Sequence, residues 1–482
     1  MKFTILDSIF ITLITIIALY ARLYTIAFPS VVTFDEVHFG NFTKWYIQKR
    51  FHFDIHPPLG KMLMAYISKA SQYQGDIESF NNIGTAFQTN ETAYLSVRII
   101  PAIFSSFVSP LLYTALRNFE VSPFTSFASV LLVSFDSSMI TESKFILSDG
   151  MLHFFSALHI ACFALFMRTE NDFHVALAGI TLGCAAACKY TALGLIALDG
   201  LVQVAWILVK WPSFPKIIIR AGLILVPTFV SFLTVWIFHF ALTPYHGHNS
   251  NYIDQGDRHT LMDINSPQTS YWGNRLGNSP LIFRIIKWNY VMNAINMRSN
   301  CPHPWSSSPE NWPLLQDKFV MFYTGPDSRQ ICCLGLPVSY WFSAASIALA
   351  IPFLALKLSD YRNLIWILGW SVSFFPFLRV PRTMFHYHYL VPLMFATLNY
   401  GTLIDKSLEK HLFMRSFVNV FTIVAVFSCY LFFSPYIYGT PCPKCGQTRS
   451  WVKAWNNGPA PSFSYYNKPM YHTALLRGSL PL

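Results

Sequence analysis

IFITLITIIALYARLYTIAF, Ile9–Phe28, carries a single charge, Arg22, and runs on into VVTFDEVHFGNF, Val31–Phe42. A helix needs about 20 apolar residues to cross hydrocarbon, so the chain is expected to cross a membrane here and to emerge on two adjacent carboxylates, Asp35 and Glu36. No small-residue cleavage site follows, and the stretch reads as an uncleaved signal anchor. The remaining sequence agrees: of 482 residues, 53% are hydrophobic, 17% aromatic and 12% charged, whereas soluble domains carry roughly 25% charge. Further spans are expected at Ala93–Leu116, Phe124–Ile140, Phe145–Met167, Val175–Lys189, Thr191–Val209, Ile217–Leu242, Leu336–Leu356, Leu364–Phe377, Met384–Ile404 and Phe417–Tyr438, about eleven in all. Backbone polar groups in lipid must be satisfied within the segment, so the fold class is an all-α polytopic integral membrane protein.

The net charge of +11 does not point to nucleic acid, because the lysines and arginines sit at the ends of apolar runs rather than on one stripe. Lys210, Lys216 and Arg220, then Lys357 and Arg362, then Lys406, Lys410 and Arg415 fall in alternate short loops. By the positive-inside rule these loops and the N-terminus are cytosolic, and the C-terminus is lumenal. Residues 1–242 then form an N-terminal membrane core with a lumenal loop at 29–92. A second lumenal loop spans 243–335, C-terminal membrane helices follow at 336–438, and a lumenal tail covers 439–482. Cys162, Cys184, Cys188 and Cys429 fall in spans and read as packing residues. Cys301, Cys332, Cys333, Cys442 and Cys445 fall on the lumenal side, where oxidation is allowed. The CPKC of the tail has no second half of a zinc site, which favours a disulfide or free thiols. The sequons at Asn41 and Asn90 lie on the same side. No Walker or Rossmann glycine loop is present, so no soluble nucleotide-binding domain is expected.

Adjacent carboxylates diverge by about 100° on a helix, which suits Asp35 and Glu36 to two separate jobs. In FDIHPPLG, Phe53–Gly60, two prolines fix an extended backbone and present His56 just before LGKMLMAYISKA, whose Leu59, Met62, Leu63, Tyr66 and Ile67 recur as on an interfacial helix. Arg22, Arg98, Lys189, Arg379 and Arg382 lie at membrane depth or its edge, where a cation calls for a partner and arginine grips phosphate in a bidentate way. RVPRTMFHYHYLVP, Arg379–Pro392, makes a basic, aromatic mouth that could bind a phosphate and stack on a sugar. For each feature a plainer role competes: a solvated pair, a turn, snorkelling, or aromatic anchoring.

Together these stretches resemble the protein O-mannosyltransferase family, polytopic enzymes of the endoplasmic reticulum with a GT-C glycosyltransferase fold. The resemblance is carried by FDEVHFGNF and FDIHPPLGK and continues in family order. The further motifs are KFILSDGMLHFF, GITLGCAAACKYTALG, HPWSSSPENWPLL (His303–Leu315), FLRVPRTMFHYHYL and FFSPYIYG. It implies transfer of mannose from dolichyl-phosphate mannose to serine or threonine hydroxyls of secretory proteins, with inversion. Asp35 would be the base and Glu36 would help place the acceptor. Arg98, Lys189, Arg379 and Arg382 would hold the donor phosphate in some combination, with Arg382 favoured, and His388 would contribute at the sugar. His56 and His303 would belong to the acceptor-side loops. The leaving phosphate is already ionised, so the scheme asks for a base and cations, with no metal and no cofactor beyond the lipid donor.

Two departures stand out. The loop at 243–335 is too short for the MIR repeats of eukaryotic relatives, and Tyr387-His388-Tyr389 replaces their His-His-Tyr, leaving the first histidine's task to Tyr387, to His386 or to none. The DEVHFG wording resembles the eukaryotic branch and implies residence in the endoplasmic reticulum membrane. Family members pair as homo- or heterodimers of paralogues. Another lipid-phosphate-sugar-dependent GT-C enzyme, or an inactive client-binding relative, is the alternative. A transporter is disfavoured, because Asp136, Glu142 and Asp149 gather around one turn and no two-half symmetry is visible.

Overall fold

The computed structural model describes residues 3–248, 261, 280–298 and 303–455. Cys301 lies outside them. The first helix, α1 (Ile5–Leu23), starts on a Thr4–Asp7 capping box. Asp7 also accepts from Tyr113 Oη at 2.6 Å and Arg117 Nε at 2.5 Å, which ties α1 to the end of α5 (Val108–Asn118). The exit loop leads to α2 (Glu36–Ile47) and α3 (Leu59–Ala70), and α4 (Tyr94–Ser106) returns into the bundle ahead of α5. The next pair, α6 (Pro123–Ser134) and α7 (Ser137–Ser143), is bent by 58° at Phe135-Asp136. Two long helices follow, α8 (Asp149–Thr169) and α10 (Leu193–Lys210), with the shorter α9 (Asp172–Ala186) between them, and then α11 (Phe214–Leu242).

Within the second loop lie α12 (Leu281–Arg298), a 3-10 turn at Pro309–Leu314, and an antiparallel hairpin, β1 (Val320–Thr324) with β2 (Gln330–Cys333), in which Val320 faces Cys333. The chain closes with α13 (Pro337–Ala355), α14 (Tyr361–Phe374), α15 (Leu390–Ser407), α16 (Leu412–Tyr438) and a short α17 (Cys445–Thr448), where Cys442 and Cys445 are joined by a disulfide.

All eleven expected spans fall on helix. Among the described residues seven helices are long and apolar enough to cross a membrane, or eight if the bent α6–α7 pair is one span. The remaining stretches are different in kind: α9 and α14 have 15 and 14 residues, and α15 carries buried Asn399 and Thr402 that bond to α14. The outward faces are those of a protein in lipid. Phe413, Phe417, Phe421 and Val424 of α16, and Leu225, Val226, Phe229 and Val230 of α11, are exposed, while polar Ser156 and His159 of α8 are buried.

Two close approaches set the core. Gly179 and Gly183 of α9 lie against the Ile224 and Thr228 carbonyls of α11, and a Cβ there would come within 2.6 and 2.4 Å of those oxygens. This is the small-xxx-small packing that lets helices touch in lipid, reinforced by Thr228 Oγ1 donating to the Gly179 carbonyl at 3.0 Å. Gly150 similarly lets the first turn of α8 press on Pro101 of α4, which brings Asp149 in beside the residues that follow α1.

The interfacial reading of α3 needs amendment. The helix buries Lys61, Met64, Ala65 and Ser68 inward, because Lys61 forms a buried ion pair with Asp54, while Ile67 remains exposed on the other side.

Candidate active site

The two adjacent carboxylates divide sharply. Phe34 holds a left-handed backbone, φ +49°, a conformation that a bulky residue adopts only when its surroundings impose it. Its ring is clamped by Phe322 of β1, stacked at 4.7 Å, and by Phe385. This turn makes Asp35 the N-cap residue of α2, yet its side chain accepts no capping hydrogen bond. Its backbone, φ −72° and ψ 1°, lies outside the extended region from which a capping side chain reaches the first turn, so the carboxylate is left available. Asp35 is half-buried; its backbone carbonyl accepts from the His38 and Phe39 N–H groups, while its carboxylate makes no hydrogen bond among the described residues. Burial pushes its carboxyl above the ordinary value, against the opposing pull of His38 and Lys189.

Glu36, one residue on, is wholly buried and saturated. It takes two bonds from Arg98, Nε to Oε1 at 2.8 Å and Nη2 to Oε2 at 2.7 Å, and one each from the backbone N–H of Thr33 and Ile146. The other Arg98 donors are directed to the carbonyls of Ile26, Pro29 and Val31. This corrects two expectations: Arg98 has no donor free for a lipid phosphate, and Glu36 has no lone pair free for an acceptor. Their pair fixes the loop that carries Asp35.

Lys189, between α9 and α10, donates to both oxygens of Asp149 at 2.7 and 2.9 Å and lies 5.8 Å from the centre of the Tyr387 ring. Arg382 is half-buried, bonded to Asn296 of α12 and to the Thr383 carbonyl, and feels the charge of Asp35. Arg379 is exposed, on a 3-10 turn that buries none of its residues. Asp149, Leu152, His153, Lys189, Thr191, Tyr387, His388 and Val391 line a small cleft.

His388 stacks on Tyr387 at 4.8 Å and on Trp312 of the SPENWP turn at 6.0 Å, with Nδ1 on the Phe385 carbonyl at 2.8 Å. Burial holds His56 well below its ordinary value and His303 at about 4, so both imidazoles stay neutral at physiological pH. Lys189 and Arg382 are the cations that act on Asp35 among the described residues. His303 rests edge-on against Phe385 at 4.9 Å, and its Nδ1 accepts from the Trp305 N–H. The altered triplet also resolves: His386 points away, bonded to Ser138 Oγ and Tyr340 Oη, so Tyr387 is the residue that lines the cleft.

The sequence reading did not foresee the Lys189–Asp149 pair, although both residues lie in motifs it quoted. It also passed over Lys144 as a buried cation: its Nζ bonds the Tyr24 carbonyl and Thr25 Oγ1 at 2.9 Å and pins the end of α1. Glu142, Asp149 and His153 each bring a potential metal ligand within 4.8 Å of the others. Lys189 already covers both Asp149 oxygens, so a metal ion there would have to displace an ammonium.

Chemically, the cleft brings together Lys189, paired with Asp149, and the Tyr387 and His388 rings, and the Asp35 carboxylate lies within electrostatic reach of Lys189 and Arg382. Sequence models of two regions match the chain: dolichyl-phosphate-mannose-protein mannosyltransferase over residues 12–243, and the C-terminal four-transmembrane region of protein O-mannosyltransferase over 282–455. Dolichyl-phosphate-mannose–protein mannosyltransferase 4 of Saccharomyces cerevisiae is 28% identical over 274 residues, 53% of this chain and 36% of the relative. Protein O-mannosyltransferase 1 of Drosophila pseudoobscura is 35% identical over 190 residues, 38% of this chain and 21% of the relative. The matches therefore span about a third or less of those curated relatives. The S. cerevisiae Pmt1-Pmt2 complex bound to the sugar donor superposes with a TM-score of 0.85 at 19% identity, covering 98% of this chain and 95% of that one, and fixes the fold as GT-C.

Proposed function

Since the chain belongs to the protein O-mannosyltransferase family, we propose that it transfers mannose from dolichyl-phosphate mannose to serine and threonine hydroxyls of secretory polypeptides. The observation that carries this reading is Asp35, whose carboxylate makes no hydrogen bond among the described residues and interacts electrostatically with Lys189 and Arg382. Asp35 accepts the proton of the acceptor hydroxyl as its oxygen attacks C1 of the mannose. The C1–O bond to phosphate breaks on the opposite face, the anomeric centre inverts, and the dolichyl phosphate departs with the bonding pair. Arg382 and Lys189 stabilise that anion, so the scheme needs no metal. Tyr387, His388 and Trp312 supply the aromatic wall for the sugar.

The cleft lies on the side reached after the first span. With the positive-inside bias of the loops, this supports a lumenal active site in the endoplasmic reticulum membrane with a cytosolic N-terminus. A paralogue is proposed as a partner. The test is mannose transfer to a Ser/Thr-rich peptide in solubilised membranes, with and without co-expressed paralogues, comparing the intact chain with Asp35→Asn at matched expression. Transfer by the intact chain and its collapse in the variant supports the reading. Equal transfer by both removes Asp35 as base, and silence in every combination leaves the client-binding alternative.

A further inference from the structure

The CPKC of the tail has no part in the proposed sugar transfer, yet its environment is differentiated. Cys445 is buried at 2% exposure, while Cys442 is only half-buried. Arg449 donates from Nε to the Phe432 carbonyl at 2.5 Å and lies over the Phe432 ring at 4.4 Å, and so is fixed to the end of α16. From there its Nη1 reaches Cys442 Sγ at 3.4 Å. A cation held against one sulfur stabilises that sulfur as a thiolate, and a Cys-x-x-Cys pair with one accessible and one buried sulfur is the arrangement of a thiol-exchange site. A purely structural role accounts for less. The ring closed by two intervening residues restricts the unfolded chain very little, and the tail is already anchored by Trp455, whose Nε1 donates to the Leu315 carbonyl at 2.7 Å.

We infer that Cys442–Cys445 is a thiol–disulfide exchange site that tethers cysteine-bearing polypeptides through Cys442. A polypeptide thiolate attacks Cys442 Sγ, the Cys442–Cys445 bond breaks, and Cys445 leaves as the thiolate and takes up a proton. A mixed disulfide then joins the polypeptide to Cys442. Return attack by Cys445 on Cys442 Sγ releases the polypeptide thiolate and restores the disulfide, with no net oxidation. The tether lies in the tail after the last span, on the side of the membrane assigned to the acceptor, and in that respect the inference rests on the proposed function.

The test uses the full chain in detergent with a fluorescent Ser/Thr-rich peptide supplied as its disulfide dimer, and mass mapping of the adduct. Cys445→Ser, which frees Cys442, is expected to form the mixed disulfide at least tenfold faster than Cys442→Ser, which frees only the buried Cys445. Arg449→Met in the Cys445→Ser background is expected to slow it several-fold. In the unmutated chain, glutathione buffers should open the pair reversibly, read by maleimide mass shift, without loss of the folded state. Equal slow reaction of both single-cysteine variants, or a pair that opens only on unfolding, overturns the inference. Mannose transfer to a cysteine-free peptide is measured alongside. If adducts form but no sugar moves, the exchange site stands and the transferase reading falls, and the converse result removes the exchange site alone.

Discussion

Glu36 and its surroundings, and the group around Asp35, start one residue apart and are built on opposite plans. Around Glu36 the carboxylate and the guanidinium of Arg98 have their lone pairs and donors committed to each other or to backbone. The Asp35 carboxylate, by contrast, makes no hydrogen bond among the described residues, and Lys189 and Arg382 act on it through their charge. The first arrangement holds a shape, and the second keeps capacity in reserve. Buried ionic groups of one type can therefore serve structure or chemistry, and the number of bonds already made tells them apart.

The largest effect that sharpens this contrast is Asp35→Asn, expected to lower kcat about 10²- to 10⁴-fold. Because the Asp35 carboxyl is shifted upward, its ionised form disfavours the folded state at neutral pH, and the stability tied to its proton is lost as pH rises through the folded pKa. The variant should therefore melt at the same temperature as the parent or higher. A matching loss of thermal stability would instead make Asp35 structural.

Next is Arg98→Met. It leaves Glu36 buried without its cation and is expected to cost about 3–5 kcal/mol of stability, seen as a lower melting temperature or failure to accumulate. A stable, inactive Arg98→Met would return Arg98 to the phosphate. Lys189→Met, third, should lower kcat by about 10²-fold, the scale of one lost donor to a developing anion, while peptide KM holds. A change confined to KM breaks that assignment.

A fourth measurement is the pH profile of kcat/KM. Asp35 must be ionised to act, so its upward shift sets the acid limb above the ordinary aspartate value of about 3.9. A limb at or below that value excludes it as the base. The smallest effect is expected of Tyr387→His, which restores the family triplet. The Tyr387 ring lines the cleft, and a second neutral ring there should change transfer no more than a few-fold.

Much of the fold was legible in apolar run length, because a helix that crosses lipid must be written in consecutive apolar residues. The eleven stretches are all helical, but α9 and α14 are short and α15 is polar inside, and run length cannot distinguish a lipid-facing span from a helix walled in by others. Asp35, Lys189, Arg382 and His388 were legible from their residue types and family order; Lys189 and His388 line one cleft, and Asp35 and Arg382 are linked to them and to each other by charge. The roles of Glu36, Arg98 and Arg379 were not legible. Whether a charge is matched depends on partners 62 residues away, as for Arg98 with Glu36, and spacing along the chain carries no record of such pairing. The same limit hid the Lys189–Asp149 pair.

One face of α12 has a kinetic meaning. Asn289 accepts from Tyr190, the neighbour of Lys189, and Asn296, two helical turns on, accepts from Arg382. A single helix thus clasps the elements carrying both site cations. A grip that stabilises a departing phosphate persists once the bond is broken, so the lipid product is held by the contacts that helped to make it. If mannose transfer proceeds as proposed, turnover follows how often this clasp loosens. A rapid first burst of glycosylated peptide, followed by a slower steady rate that Asn296→Ala hastens, would reveal it; a strictly linear time course would refute it.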